Sequence, residues 1–518
     1  MSVPSLHRTA AFDRALALME SGGPFTFITG RAGTGKSTLL KHFRQTTKLA
    51  CPVLAPTGVA ALNVNGETIH RFFRFAPGIS VKDARARGAT AKDGSVYRKA
   101  DLLVIDEISM VRADLLDCMD EFLRAVRKDK RPFGGLRVVV IGDLYQLPPV
   151  VSTDERKVFS EMYEAPYFFA SHVVQDLLRA HAVEFVELET VYRQTDASFV
   201  SLLNAVRNRS IGEKDLEALN LRVSDTLTKK AIVLTAMNDA ANALNEERLR
   251  ALGGTVKKFQ ANLRGDFPER EAPADSELRL KKGARVMCLA NDPDGKYVNG
   301  SLGWVKGFGG DKTTDVSVEV DLDDGGTISL SSHTWTVYRS IYDKKQKTLD
   351  QEKLGSFVQI PLKLAWAVTI HKSQGKTFDE VAVDLGRGAF AAGQTYVALS
   401  RCRSFKGLTL VKPVRLADIR IDFAIVKFVT GLQYMLSKKA LPHAEKLRVL
   451  KAAAKEKKRL KITYLKGKDE KSERVIVPGA IEEAEYAGKN FLALRAWCEL
   501  RRGDRTFNVE KIIGIQEL

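Results

Sequence analysis

The stretch FTFITGRAGTGKS at residues 25–37 decides the fold of the first half of the chain. A short apolar run is followed by the pattern G-x-x-x-x-G-K-S, and an amphipathic segment from Ser37 to Gln45 comes next. In this order, backbone N–H groups wrap the phosphates of a nucleotide, and the following helix directs its positive end at them. The stretch therefore predicts a phosphate-binding loop between a buried parallel strand and a helix.

Two acidic residues, Asp106 and Glu107, follow the apolar run LLVI at residues 102–105. Asp106 is suited to hold Mg²⁺ through a water molecule, and Glu107 is suited to orient or deprotonate the attacking water. Lys36 should reach the β- and γ-phosphates, while the Ser37 hydroxyl should hold the metal. The two motifs predict hydrolysis of ATP with Mg²⁺. The expected nucleotide-binding residues are Gly30, Gly33, Thr34, Gly35, Lys36, Ser37 and Thr38.

Short apolar runs alternate with amphipathic stretches along most of the chain, which is typical of an α/β fold with parallel sheets. The first half has the runs CPVLA from 51, LLVI from 102 and VVVI from 138. The second half repeats the pattern with AIVLT from 231, VAVDL from 381 and LTLV from 408. We therefore predict two α/β domains, one at residues 1–190 and one at residues 191–297 with 361–436.

Three further segments have residue patterns that differ from the α/β pattern. Residues 298–360 alternate β-forming residues with glycine-rich turns, which predicts a small β-barrel inserted into the second domain. A basic linker helix is predicted at 437–459, and a small module of short strands at 460–518. Three or four domains agree with the length of 518 residues.

The charge balance predicts a polyanionic partner. Lysine and arginine number 81 against 63 acidic residues, giving a net charge of +18, and nucleic acid is the commonest partner of so basic a protein. The five cysteines are scattered without C-x-x-C spacing, which argues against a zinc site or a disulfide framework. With no long apolar run, we expect a soluble intracellular protein that does not enter membranes.

Less common motifs follow the phosphate loop in a fixed order. They are APTGVAA from 55, ETIHRFF from 67, PFGG from 132, GDLYQLPPV from 142, YRQ from 192, IHKSQGKT from 370 and YVALSR from 396. This order resembles that of superfamily-one, group-B helicases over roughly residues 20–415, and most closely the Pif family. The closeness rests on APTGVAALNVNGETIHRFF and on the stretch from Asp114 to Val150, which resembles the Pif signature.

The resemblance implies an architecture and a set of roles. It implies two RecA-like P-loop NTPase domains with ATP in the cleft, a wedge insertion at about residues 71–98 and an SH3-like barrel insertion. Gln146 would sense the γ-phosphate, and Gly375 would line the nucleotide site. Arg193 and Arg401 would reach over from the second domain as arginine fingers, which contribute roughly 10³–10⁵ in rate in other nucleotide hydrolases.

The resemblance also implies that a DNA strand runs along both domains. The expected contacts combine hydroxyl, basic and aromatic groups, which suit phosphates and bases, and they are Thr57, His70, Phe72, Thr369, His371, Lys372 and Ser373. Phe72 is equally well explained as a core residue, as is its neighbour Phe73. The implied partners are single-stranded and forked DNA, with G-quadruplexes or RNA–DNA hybrids as further candidates.

One departure from the family pattern concerns the base of the nucleotide. Helicases of this group usually carry a glutamine ahead of the phosphate loop that reads adenine, and AAFDRALALMES at residues 10–21 has none. ATP stays the expected nucleotide, while selectivity for adenine is in doubt.

The C-terminal strands resemble a WYL domain, although Asn490-Phe491-Leu492 stands where the family's Trp-Tyr-Leu would. Tyr464, Arg495 and Arg505 combine aromatic and basic groups and are expected to bind DNA. A basic packing module explains the same residues equally well.

The prediction is thus an ATP-dependent DNA helicase that moves 5′-to-3′, with the direction implied by the resemblance alone. We expect a monomer at the bacterial nucleoid in the cytoplasm. Two alternatives stay open: a translocase that unwinds little, and a single-strand-binding regulator whose ATPase is a conformational switch.

Overall fold

The computed structural model describes residues 8–76, 78–91, 94–152, 155–194, 196–268, 272–292, 294–310, 316–343, 348–486 and 488–518. The chain forms two compact units. One runs up to Arg207 and from Ile211 to Arg420, and the other joins Asn208–Ser210 to Ile421–Leu518. Residues 1–7 of the first predicted domain, and a few positions within the predicted wedge and barrel, lie outside the described residues.

The first α/β domain alternates strands and helices from its start. Its strands are β1 (Phe25–Gly30), β2 (Val53–Ala55), β3 (Glu67–Thr68), β4 (Leu102–Ile105), β5 (Arg137–Gly142) and β6 (Val183–Leu188). Its helices are α1 (Ala10–Ser21), α2 (Lys36–Thr46), α3 (Gly58–Asn63), α4 (Ile69–Phe72), α5 (Val81–Ala89), α6 (Ser95–Lys99), α7 (Ala113–Arg127), α8 (Arg156–Met162) and α9 (His172–Arg179).

These six strands form one parallel sheet in the order β3-β2-β4-β5-β1-β6. Every residue of β1 is buried, as expected for a central strand covered on both faces. Helices α1 and α2 supply Phe12, Met19, Leu39 and Phe43 to the core on one face. Because β4, β5 and β1 are neighbours, the loops at their carboxyl ends lie side by side, where ligands bind in open α/β sheets.

The second α/β domain begins with α10 (Ala197–Arg207), α11 (Glu213–Asn220), β7 (Ile232–Thr235) and α12 (Asn238–Ala251). Among the described residues, the inserted strands that follow are β8 (Lys257–Gln260), β9 (Asn262–Gly265), β10 (Glu277–Leu280), β11 (Arg285–Cys288), β12 (Leu302–Gly309), β13 (Ser317–Leu322), β14 (Thr327–Leu330), β15 (His333–Asp343), β16 (Thr348–Gln359) and β17 (Leu362–Leu364). The domain is completed by β18 (Ala367–Thr369), β19 (Val381–Asp384), α13 (Gln394–Leu399) and β20 (Leu408–Leu410). Its sheet is parallel in the order β18-β7-β19-β20, so the predicted α/β fold is confirmed in both domains.

The inserted strands occupy more sequence than predicted. They begin at Lys257 and end at Leu364, whereas the sequence indicated residues 298–360. Strands such as KKFQ at 257–260 were missed because charged residues dominate them. Within the described part of the insertion, one antiparallel sheet has the order β14-β13-β12-β11-β17 and another the order β15-β16-β9. The SH3-like closure stays a prediction.

The second compact unit contains α14 (Phe423–Ala440), α15 (His443–Glu456), β21 (Leu460–Lys466), β22 (Glu470–Tyr486), β23 (Lys489–Cys498), β24 (Gly503–Asn508) and β25 (Ile512–Glu517). The strands form an antiparallel sheet in the order β24-β23-β22-β21-β25. The prediction of a single linker helix at 437–459 is wrong. Helix α14 ends before Leu441, and Pro442, which cannot continue a helix, precedes α15. Instead, α15 packs Leu450 and Ala453 into the core of this unit.

Among the described residues, no helix combines the length and the apolar character needed to cross a membrane.

Candidate functional site

The glycine-rich loop connects the end of β1 to the start of α2. Gly33 and Gly35 have φ of 81° and 86°, a left-handed conformation that glycine adopts without a steric penalty. A Cβ on Gly33 would also collide with the Cβ of Arg193. Helix α2 has no side-chain cap, so its first N–H groups remain available to an anion.

Lys36 lies in this loop with its ammonium turned inward. Its Nζ donates hydrogen bonds to the carbonyl oxygens of Gly30 at 2.7 Å and Arg31 at 3.0 Å. Burial lowers the pKa of Lys36, although nearby carboxylates oppose the shift. Ser37 and Thr38 are exposed at the start of α2, where a bound phosphate would meet them.

Asp106 and Glu107 follow β4 on the neighbouring loop. Burial, and then repulsion from Glu107, raise the pKa of Asp106 to about 7. Burial also raises the pKa of Glu107, against the attraction of Lys36. Glu107 has φ 51°, a conformation that is uncommon for glutamate and that concentrates at functional sites.

The acidic pair and Ser37 fit a magnesium ion. Asp106 is only 8% exposed beside a second carboxyl, and such excess negative charge in a buried site suits a divalent cation. Among the described residues, no three His, Cys, Asp or Glu side chains could hold a metal by themselves. Mg²⁺ usually takes one or two protein ligands and completes its shell with phosphate and water.

Arg193 reaches the phosphate loop on a segment that contacts both domains. The N–H of Tyr192 donates to the carbonyl of Gly33 at 2.9 Å, and Nε2 of Gln194 donates to the carbonyls of Ser400 at 3.1 Å and Cys402 at 3.2 Å in the second domain. The Nη2 of Arg193 donates to the carbonyl of Gly375 at 3.4 Å, and its Nη1 is buried without a hydrogen-bond partner. An unsatisfied buried N–H is costly, so a ligand that accepts from it would be stabilised.

Arg401 lies after α13 and is 1% exposed. Its guanidinium donates to the carbonyl oxygens of Val397 at 2.9 Å and Lys376 at 3.2 Å, and to Ser400 Oγ at 2.9 Å. Burial, followed by repulsion from Arg193, lowers its pKa to about 9. Both predicted arginines are thus near the phosphate loop, but the donors of Arg401 are engaged within its own domain.

Tyr396 connects the second domain directly to the phosphate loop. Its hydroxyl accepts the N–H of Ala32 at 3.0 Å and donates to Asp143 Oδ2 at 3.3 Å. Asp143 is fully buried after β5, and its other oxygen lies 3.5 Å from Nη2 of Arg207 on α10. These three residues had no predicted role, although Tyr396 and Asp143 lie in the motifs YVALSR and GDLYQLPPV.

Gln146, the predicted phosphate sensor, is 6% exposed and lies in the same cluster. Its Nε2 donates to Asp143 Oδ2 at 3.4 Å, and its Oε1 accepts from Nε2 of Gln374 at 3.0 Å. Gln374 belongs to the second domain and was missed, although it adjoins Gly375 in IHKSQGKT. The two domains therefore meet through polar side chains at the nucleotide loop and at the loop after β5.

The predicted DNA contacts in the first domain divide into two groups. Thr57 is exposed at the start of α3, where its Oγ1 accepts the N–H of Ala60 at 3.3 Å, and His70 is partly buried on α4. Phe72 is 6% exposed and packs edge-on against Phe73 and Tyr97 at centroid distances of 5.0 and 5.2 Å. The stacking role predicted for Phe72 is therefore wrong, since it is a core residue.

The second domain repeats the local structure of the first at its edge strand. Thr68-Ile69-His70-Arg71 begins at the last residue of β3, and Thr369-Ile370-His371-Lys372 begins at the last residue of β18; we name these segments the two TIH turns. In each, the threonine Oγ1 accepts the N–H three residues later at 3.3 Å. The edge strand β3 pairs in parallel with β2, and the edge strand β18 pairs in parallel with β7. The predicted DNA residues His70 and His371 thus occupy equivalent positions in the two domains.

Within the second TIH turn, Lys372 is exposed and His371 is partly buried, which lowers the pKa of His371. The side chain of Ser373 is not available to a DNA strand. It is fully buried, and its hydroxyl donates to the carbonyl of Ile370 at 2.7 Å.

In the second compact unit, the three predicted residues differ in availability. The Tyr464 ring packs edge-on against Phe507, and Arg495 pairs with Glu482 at 2.5 Å. Arg505 is exposed and makes no hydrogen bond or ion pair to the described residues. Trp497, 47% exposed and two residues from Arg495 on β23, was missed, although alternation along LRAWC places both on one face.

Comparison with protein families and relatives agrees with this geometry. The model of the PIF1-like helicase family matches residues 7–217, and that of the WYL domain matches residues 445–517. The human ATP-dependent DNA helicase PIF1 is 36% identical over 448 residues, which are 84% of this chain and 65% of the human protein. The ATP-dependent DNA helicase Pif1 of Bdellovibrio bacteriovorus is 33% identical over 77% of this chain and 86% of its own length.

Solved structures of a Bacteroides Pif1 are also similar. The complex with ADP-AlF4 has a TM-score of 0.75 at 34% identity, covering 82% of this chain and 96% of that one. The complex with ADP-AlF3 and single-stranded DNA has a TM-score of 0.58 at 33% identity, with the same coverage. The fold of the two α/β domains is therefore that of RecA-like helicase domains.

Proposed function

Because the chain belongs to the PIF1-like helicase family, we propose that it hydrolyses ATP to move 5′-to-3′ along single-stranded DNA and to unwind duplex or structured DNA. The observation that carries this proposal is the hydrogen bond from the phosphate-loop N–H of Ala32 to the hydroxyl of Tyr396 in the second domain. A nucleotide bound at the loop then acts on both domains, and its hydrolysis changes how they meet.

In the proposed hydrolysis, Lys36 leaves the two loop carbonyls and binds the β- and γ-phosphates. Ser37 Oγ and the Asp106 carboxylate would hold Mg²⁺, which neutralises phosphate charge when bound. Glu107 accepts a proton from the attacking water, and its raised pKa is suited to a general base. Gly30, Gly33, Thr34, Gly35 and Thr38 complete the phosphate cradle.

Arg193 is proposed to bind the γ-phosphate through Nη1, which is supported by its lack of a partner beside Gly33. Arg401 is proposed to join it once the domains close, because its present bonds to Val397 and Lys376 must first break. Gln146 responds to the same phosphate and is bonded to Gln374, so the sensing group touches the second domain. Gly375 adjoins that contact and lies against Arg193.

The two TIH turns are proposed to hold the DNA strand at equivalent points, one in each domain. Thr57 and His70 act in the first domain, and Thr369, His371 and Lys372 in the second. When the cleft closes, the distance between the two turns changes, so a strand held by one turn slides past the other. This is how hydrolysis becomes movement.

The proposed partners are single-stranded and forked DNA. The basic composition, the complex of the Bacteroides Pif1 with single-stranded DNA and the similarity to the DNA helicase of Bdellovibrio bacteriovorus support DNA as the polyanion. G-quadruplexes, RNA–DNA hybrids, a monomeric state and a location at the bacterial nucleoid stay predictions. For the second compact unit we propose an accessory contact to the same strand, favoured by exposed Arg505 and Trp497.

The test compares the full chain with Lys36→Ala on duplexes that carry a single-stranded tail at the 5′ or the 3′ end. We expect ATP-dependent unwinding of the 5′-tailed duplex alone, and loss of unwinding with retained DNA binding in the variant. Release of streptavidin from a single strand without unwinding would favour the translocase. ATP turnover that is indifferent to DNA would favour the regulator.

A further inference from the structure

A cavity of about 360 Å³ lies beside the second TIH turn. Its walls come from α12, β10 and the β17–β18 segment. Thr369 and Lys372 of the turn line it together with Lys363 on β17 and with Asn238 and Asn242 on α12. The volume is within the range of about 300–1,000 Å³ that is usual for small-ligand sites.

Lys363 is the partly buried lysine in this wall, and it lacks a counterion among the described residues. It is partly buried, and its ammonium makes no hydrogen bond or ion pair with the part of the chain that the structure describes. Burial, and then repulsion from Lys376 and Lys372, lower its pKa to about 7, with only Asp275 opposing. A cation in such surroundings costs free energy until an anion approaches it.

Two of the three carboxylates that share this wall, Glu246 and Glu277, are already engaged, and the third, Asp275, forms no ion pair with Lys363 among the described residues. Glu246 pairs with Arg279, and Glu277 accepts from Gln260 at 2.9 Å and lies 3.4 Å from Lys258. Lys376 donates to Asn299 Oδ1 at 2.6 Å. Lys363 is therefore left to bind an anion that comes from outside the chain.

We propose that this cavity is a subsite for the DNA strand, in which Lys363 binds a backbone phosphate and the amides of Asn238 and Asn242 contact the adjoining nucleotide. The inference rests on the proposed function, because Thr369 and Lys372, which are proposed to hold the DNA strand, also line the cavity. Phosphate supplies the missing anion, and amide groups offer a donor and an acceptor to a sugar or a base edge.

The subsite makes DNA binding depend on protonation of Lys363 Nζ. Below pH 7 the ammonium is already charged, whereas at higher pH phosphate binding must draw in a proton, so affinity falls. The groups that face Lys363 are Lys372 and Lys376 on the turn, Asp275, Glu277 and Arg279 around β10, and Glu246 on α12. Lys376, with a pKa of about 8, also titrates nearby, so the contribution of Lys363 must be isolated by substitution.

The experiment measures binding of a labelled oligothymidine to the full chain over a range of salt concentrations. Lys363→Met keeps the length of the side chain and removes the charge, so the slope of log Kd against log salt should fall by about 0.7, the value for one phosphate on a single strand. Lys412→Met, an exposed lysine after β20, is the matched control and should keep the wild-type slope. At low salt we expect about tenfold weaker binding for Lys363→Met alone.

Lys363→Arg provides a second readout that does not depend on how the methionine variant folds. It should keep the wild-type slope of log Kd against log salt. Because arginine stays protonated, the decline in DNA affinity above pH 7 should be smaller than in wild type. An unchanged salt slope in folded Lys363→Met, or the same decline in wild type and Lys363→Arg, overturns the subsite. Wild-type protein that binds no single strand refutes the proposed function itself, whereas wild-type unwinding with an unaltered slope in the variant refutes the subsite alone.

Discussion

The hydroxyl of Tyr396 donates a hydrogen bond to the carboxylate of Asp143 at 3.3 Å and joins the two RecA-like domains at the phosphate loop. The same oxygen accepts the N–H of Ala32, so one side chain touches both the nucleotide loop and the loop after β5. Burial raises the pKa of Tyr396 well above its usual range, which keeps the hydroxyl protonated as the donor.

Tyr396→Phe should therefore uncouple DNA binding from hydrolysis. The variant leaves the Ala32 N–H and the Asp143 oxygen without this partner, and an unsatisfied buried group costs about 1–3 kcal/mol. We expect DNA stimulation of ATP turnover to fall about tenfold or more, with little change in DNA affinity. Steady-state ATPase with and without DNA measures this. Tyr338→Phe on β15, where the ring is 40% exposed, is the control, and wild-type stimulation in Tyr396→Phe would contradict the coupling.

Arg193 and Arg401 should differ when each is replaced by alanine. Arg193 has a buried, unpaired Nη1, so its loss should lower kcat by about 10³-fold or more with little change in thermal stability. Loss of Arg401 leaves the carbonyls of Val397 and Lys376 without donors and opens a cavity, so it should also destabilise the fold by about 3 kcal/mol. Paired measurements of kcat and thermal midpoint separate the two, and equal destabilisation would show that Arg193 is also structural.

Asp106 should make the nucleotide-free protein less stable as pH rises. Its pKa is raised from 3.8 to about 7, so the folded state holds the proton more tightly. The free energy of unfolding is then greatest near pH 4 and declines by at most about 4 kcal/mol as pH rises to 7. It stays at the lower value above pH 7. Asp106→Asn should abolish hydrolysis and raise the melting temperature at pH 8. The exposed Asp324→Asn serves as control, and an Asp106→Asn variant no more stable than wild type at pH 8 would refute the prediction.

The sequence predicted those parts of the site that depend on local backbone order. A strand, a glycine-rich turn and a helix place Lys36 without help from the rest of the chain, and an acidic pair after a buried strand does the same for Asp106. The partners of these residues could not be predicted, because Tyr396 and Gln374 reach the first domain only through the packing of two distant segments.

Buried side chains in distinctive motifs were the other source of error. Phe72 and Ser373 lie in motifs that resemble DNA-contacting ones, yet both are packed inside. The signature stretch is similarly structural: Asp117 accepts the N–H groups of His172 and Val173 at the start of α9, and Asp120 accepts that of Phe133. Composition alone does not tell such internal hydrogen bonds from contacts to a ligand.

The second compact unit should add affinity for DNA without taking part in hydrolysis. All proposed ATPase residues lie in the other unit, and cutting the chain near residue 455 would expose the core residues Leu450 and Ala453, so point variants in the full chain are the cleaner test. Trp497→Ala removes an exposed ring that can stack on a base, a contact worth about 1–3 kcal/mol, and should weaken single-strand binding about five- to 150-fold. Arg505→Ala should lower the salt dependence by about one phosphate contact. Leu500→Ala, at an exposed apolar residue of the same unit, is the control for lost surface area, and basal ATP turnover should be unchanged in all three. Equal DNA affinity in Trp497→Ala, Arg505→Ala and wild type would leave this unit with a packing role alone.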